Sequence, residues 1–155
     1  MNITRRLATG LAVAALFATG TTFAQERGSK DEAKAMVDAA FEHIKKVGAE
    51  KAYKDFTADK AAWTKKDLYV FVMDLKGVVL AHGANEKLVG KNLIELKDQN
   101  GKLFAREFIE VGTSKGEGWV DYDWTSPVTK KVEGKSTFVK RIPSFDGFVA
   151  VGAYR

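Results

Sequence analysis

The sequence has 155 residues, a net charge of +5, 45% hydrophobic and 29% charged residues, and no cysteine. That length suits one compact domain, and the composition is that of a globular chain rather than a disordered, collagen-like or coiled-coil one. The missing cysteines exclude a disulfide framework, Cys-ligated zinc, iron–sulfur clusters and Cys-anchored haem. Two histidines, His43 and His82, leave little for a histidine-based metal site.

Residues 1–24 have the layout of a secretory signal: a basic start ending in Arg5 and Arg6, an apolar stretch from Leu7 to Ala18, and small residues leading to Thr22-Phe23-Ala24. Such a segment predicts export to the periplasm with cleavage near Ala24, leaving one domain over residues 25–155. The apolar stretch is shorter than the about 20 residues a membrane span needs, and no later segment is long enough. Loss of Arg5 and Arg6 would leave a net charge of +3, weak support for nucleic-acid binding. No nucleic-acid partner and no membrane span in the mature chain are therefore expected.

The mature chain opens with Ser29-Lys30-Asp31-Glu32, a capping box that predicts a helix start. Met36, Val37, Ala40, Phe41, Ile44 and Val47 follow at helical spacing, with Gly48 as the stop. A second helical stretch covers Glu50–Phe56. From Leu68 the period changes to two: Tyr69–Asp74 and Val78–His82 read as strands joined by Leu75-Lys76-Gly77. The segment between Gly83 and Gly116 holds a turn at Lys97–Gly101 and a helix around Phe104–Gly112. Strands at Gly118–Trp124, Glu133–Ile142 and Gly147–Tyr154 close the chain. The expected fold is α+β, a five-stranded antiparallel sheet with a long N-terminal helix on one face.

Catalytic and metal templates fail. Gly134-Lys135-Ser136 lacks the earlier glycine of a phosphate loop, and Asp98-x-Asn100-Gly101 puts its glycine at the wrong place for a calcium loop. There is no Gly-x-Ser-x-Gly elbow and no His-Glu-x-x-His. His43, between Phe41 and Ile44, reads as a surface or flanking residue. No catalytic residue, metal or cofactor is expected. Gly118–Trp124 is richer, because Tyr122 and Trp124 share a strand face with Val120, while Trp119 shares the other with Asp121 and Asp123. Two aromatics with polar tips can wall a small pocket, although spacing alone favours a plain core role.

Taken in order, Tyr69–Asp74, Gly77–Gly83 with Asn85, Leu88–Leu93, Gly118–Trp124 with Pro127, Lys135 and Val151–Tyr154 resemble single Cache domains, the extracytoplasmic small-molecule sensor modules of bacterial chemoreceptors and sensor kinases. The resemblance covers nearly the whole mature chain. It implies a PAS-like fold with helices and loops roofing one sheet face, and a pocket for a small organic acid such as acetate, propionate, pyruvate or lactate. It implies Tyr69, Phe71, His82, Tyr122, Trp124 and Lys135 as pocket residues.

Alternation on the fourth strand cannot decide whether Lys135 or Lys140 faces that pocket, since each face carries a cation. Lys135 is taken on resemblance, with Lys140 as the fallback. Family members commonly carry Gly in the turn where this chain has Lys130, so that hairpin is expected to differ. With no signalling domain after Arg155, the expected partner is a membrane sensor or transporter protein. The competing expectation is an accessory periplasmic protein whose Phe71, Tyr122 and Trp124 pack together and leave no cavity.

Overall fold

A computed structural model describes residues 26–155; the export signal read at 1–24 lies outside the described residues. Helix α1 (Lys30–Val47) starts where the capping box places it. Ser29 Oγ accepts from Glu32 N at 3.1 Å, and Glu32 Oε2 accepts from Ser29 N at 2.9 Å. It ends at Gly48, whose φ of 85° suits a residue without a side chain. Helix α2 (Ala49–Ala58) and a single turn, α3 (Lys60–Trp63), follow. The strands are β1 (Thr64–Lys65), β2 (Leu68–Asp74), β3 (Val79–His82), β4 (Glu117–Thr125), β5 (Val132–Ile142) and β6 (Gly147–Tyr154), with α4 (Phe104–Ser114) between β3 and β4.

The sheet is antiparallel, in the order β1-β2-β6-β5-β4, with β3 pairing β2 beyond β1's two residues. The five strands read from the sequence are all present. The two-residue β1 is an addition, formed because the turn at Lys66-Asp67 folds Thr64 back opposite Tyr69. It is too short for a period-two signal.

Strands β2 and β6 lie at the centre and are buried on both faces, which is why they read as nearly continuous apolar runs. Val70 and Val72 join Val149, Val151 and Phe138 against Ala33, Val37, Ala40 and Ile44 of α1. Tyr69, Phe71 and Met73 face the other way, with Val139, Phe148 and Ala150 under Phe104 and Phe108 of α4. Each fully buried Val or Phe contributes about 1.5–3 kcal/mol. The α4 layer contains a narrow cavity.

Candidate ligand-binding site

The register of β5 resolves the choice between the two lysines. Phe138 packs on the α1 layer beside Trp119, at a ring distance of 5.1 Å. Lys140, on the same face as Phe138, donates to Asp38 of α1 at 2.7 Å. Lys135 lies on the opposite face with Thr137 and Val139, where it is fully buried. Its Nζ donates to Tyr69 Oη at 2.7 Å and sits 4.0 and 4.8 Å from the ring centroids of Tyr69 and Tyr154. Among the described residues it forms no ion pair. Burial lowers its pKa from 10.5 to about 7, partly offset by Asp67.

The cavity beside this pair has a volume of about 20 Å³. Its polar end is made by Tyr69, His82, Tyr122 and Trp124, and its other walls by apolar side chains including Phe71, Met73, Leu93 and Phe108. It is narrow, and its free bore admits a water-sized group. Five of the six residues expected at a pocket therefore line one cavity. Lys135 does not line it; its ammonium lies behind Tyr69 and reaches the cavity through that hydroxyl.

His82 closes β3, and Gly83 turns the chain back to donate to Val70 O at 2.8 Å. His82 Nδ1 accepts from the backbone N–H of Asn85 at 2.9 Å and of Ala84 at 3.3 Å. With Nδ1 occupied as an acceptor, the neutral ring carries its proton on Nε2. Burial, and then the charge of Lys135, push its pKa down to about 3. Its ring lies 4.8 Å from that of Tyr69.

Three phenols complete the polar end. Tyr69 Oη accepts from Lys135 and lies 3.5 Å from Tyr154 Oη, a long contact to which its own proton can be given. Tyr122 Oη accepts from Thr137 Oγ1 at 3.3 Å, and Tyr154 Oη donates to Thr125 O at 2.9 Å. Burial raises all three pKa values, so the phenols stay protonated. The site is thus a set of neutral donors backed by one ammonium, with an apolar chamber beyond. That arrangement suits capture of a small anion carrying a short apolar tail.

Sequence reading missed Phe104 and Phe108. Their signal was the i, i+4 spacing within the helix expected at Phe104–Gly112. Phe104 stacks on Tyr122 at 4.7 Å and meets Trp124 edge-on at 5.4 Å. Asp67 was also missed; it is buried and accepts from Gly28 N at 2.6 Å. His43 is half-buried rather than superficial, with Nε2 2.8 Å from Asp55 Oδ2. Among the described residues, no group of three or more His, Cys, Asp or Glu could hold a metal ion, and no helix is long and apolar enough to cross a membrane.

A sheet with α1 on one face and a narrow cavity under α4 on the other defines the PAS-like class of extracytoplasmic sensor domains. The chain belongs to the single Cache domain 2 family, whose model matches residues 7–155. It is similar to the sensor histidine kinase MctS of Rhizobium johnstonii, at 30% identity over 57% of this chain and 19% of that kinase. The match thus spans about a fifth of that relative's length.

Among solved structures, a methyl-accepting chemotaxis protein from Vibrio parahaemolyticus superposes with a TM-score of 0.69 at 25% identity, covering 81% of this chain and 87% of that one. A Cache chemosensory domain described for its carboxylic acid recognition shares the fold, with a TM-score of 0.67 at 23% identity over 80% of this chain and 91% of that one. The domain is therefore a sensor module of the kind found in chemoreceptors and histidine kinases.

Proposed function

We infer that this protein is a periplasmic binding domain for a small organic acid such as acetate, propionate, pyruvate or lactate, which it recognises without transforming. The observation that carries this reading is the fully buried Lys135, which among the described residues has no carboxylate partner and hydrogen-bonds to a tyrosine on the wall of a cavity. A buried cation without an anion costs stability, and a ligand carboxylate would supply what the protein withholds. Tyr69 and His82 Nε2–H would hold the carboxylate, with Lys135 neutralising it from behind. The tail would lie against Phe71, Met73 and Leu93. The carboxylic-acid-recognising Cache domain of the same fold agrees with this chemistry. Export would depend on residues 1–24, and signalling on a membrane sensor or transporter partner.

Size limits affinity. At a ceiling of about 1.5 kcal/mol per heavy atom, four-atom acetate binds no tighter than roughly tens of micromolar, and six-atom lactate reaches roughly sub-micromolar at best. Isothermal titration against the four acids is expected to give a one-site event that Lys135→Ala weakens at least about tenfold. The narrow bore favours a second reading, an accessory protein with no working pocket. Silence across all four acids would select it.

A further inference from the structure

Tyr69, His82 and Trp124 form a wall shared by the cavity and a second, wider compartment of about 370 Å³. The far side of that compartment is the β4–β5 turn, where Ser126 and Lys130 line it. With His82 neutral, Lys130 is the one charged side chain among its lining residues.

The backbone at Lys130 is unusual. Among the described residues two non-glycines, Lys66 and Lys130, have positive φ, at 58° and 61°, a conformation disfavoured by a Cβ. Lys66 has a local reason, because its Nζ pairs with Glu32 at 3.2 Å. Lys130 has no ion pair or side-chain hydrogen bond among the described residues. The nearest acid along the chain, Glu133, is taken by Arg27 at 2.8 Å and by Thr129 Oγ1 at 2.5 Å.

The turn is fixed without the lysine side chain. Lys130 N donates to Ser126 O at 3.0 Å, and Ser126 Oγ accepts from Val128 N and Thr129 N at 3.3 and 3.2 Å. Glycine would satisfy this backbone with less strain. What the lysine adds is a positive charge on the wall of a concave, partly apolar chamber, where field lines concentrate.

We propose that Lys130 makes the outer compartment an anion-capture site, which gathers small monoanions in front of the Tyr69–His82–Trp124 wall before they reach the cavity. This deepens the carboxylate reading and rests on it for the identity of the anion, but not for the field that attracts it. A charge at such a rim acts on association rate and its salt dependence more than on dissociation.

Trp124 lines both compartments and can report on the field directly. In a Trp63→Phe, Trp119→Phe background, Lys130→Gln is expected to lower the iodide quenching constant of Trp124 about twofold in dilute buffer. The difference should vanish in ~1 M inert salt, where the Debye length is about 3 Å. Quenching by neutral acrylamide should not change. Lys130→Gly is expected to lose the same iodide response while melting no lower than its parent. In stopped flow, both substitutions should slow propionate association and leave dissociation unchanged.

Iodide quenching in dilute buffer that is the same with and without Lys130 would overturn the proposal. So would a parallel loss of iodide and acrylamide quenching, which would mean that the turn had closed over Trp124. If propionate does not bind the parent at all, the ligand reading fails, and the iodide comparison still decides the role of Lys130.

Discussion

Lys135 Nζ lies 2.7 Å from Tyr69 Oη, and this contact joins a fully buried ammonium to the wall of the cavity. The phenol accepts with a lone pair and faces Tyr154 Oη across a long 3.5 Å contact, which a ligand carboxylate would replace. Lys135 and Tyr69 are 66 residues apart in sequence, on β5 and β2, and are brought together through β6. An amine so placed weakens the fold, so its presence points to a task other than stability.

That cost can be measured. In the folded chain the Lys135 pKa is about 7 against an ordinary 10.5. Between those values the unfolded chain holds more protons, so parental stability rises with pH across this window. Lys135→Met should therefore raise the melting temperature most below pH ~7 and progressively less towards pH ~10. A variant no more stable than the parent at low pH would contradict the assignment. The same variant should bind no short carboxylate.

Affinity should follow the charge on Lys135. From pH ~5 to ~6.5 it should be flat, because His82, with a pKa of about 3, stays neutral where an ordinary histidine would titrate. Above pH ~7 the free protein loses the Lys135 proton, and the dissociation constant should rise by up to about tenfold per pH unit. A pH step in calorimetric titrations that His82→Asn abolishes and Lys135→Ala retains would instead make His82 the charged partner.

Gly152 gives a way to disturb the amine without removing it. A Cβ at this position in β6 would collide with Lys135 Cε and Thr137 Oγ1. Gly152→Ala should displace the lysine from Tyr69, weaken propionate binding at least about tenfold, and cost roughly 1–3 kcal/mol of stability in urea unfolding. Unchanged binding in a folded Gly152→Ala protein would mean that the Lys135 position is immaterial.

The apolar walls should govern the ligand tail. A buried lactate hydroxyl would find no partner against Phe71, Met73 and Leu93, so lactate should bind roughly tenfold more weakly than propionate. Leu93→Ala, costing about 2–3 kcal/mol of stability, should open the chamber and improve butyrate relative to propionate. Competition titrations of the three acids give the order, and a lactate preference in the parent would place a polar partner where none is seen.

Much of the fold was legible because its signals are local. The Ser29–Glu32 capping box, Gly48, the apolar runs of β2 and β6 and the alternation along β4 each act within a few residues. The site was legible in part. Tyr122 and Trp124 announce a shared face by spacing, but β5 carries Lys135 on one face and Lys140 on the other. What separates them is Asp38, 102 residues from Lys140 along the chain, and no period records such a pairing. Placement of Lys135 behind Tyr69, rather than on the cavity wall, follows from the β5–β6–β2 register and was equally out of reach. Phe104 and Phe108 were visible as a helical pair, yet nothing local says which sheet face that helix covers.

A crystal structure grown with propionate tests the central claim most directly. The carboxylate is expected within hydrogen-bonding distance of Tyr69 Oη and His82 Nε2, with Lys135 still against Tyr69 and the ethyl group towards Phe71 and Leu93. A structure in which propionate lies elsewhere, or in which the aromatic walls have closed on an empty chamber, would contradict it.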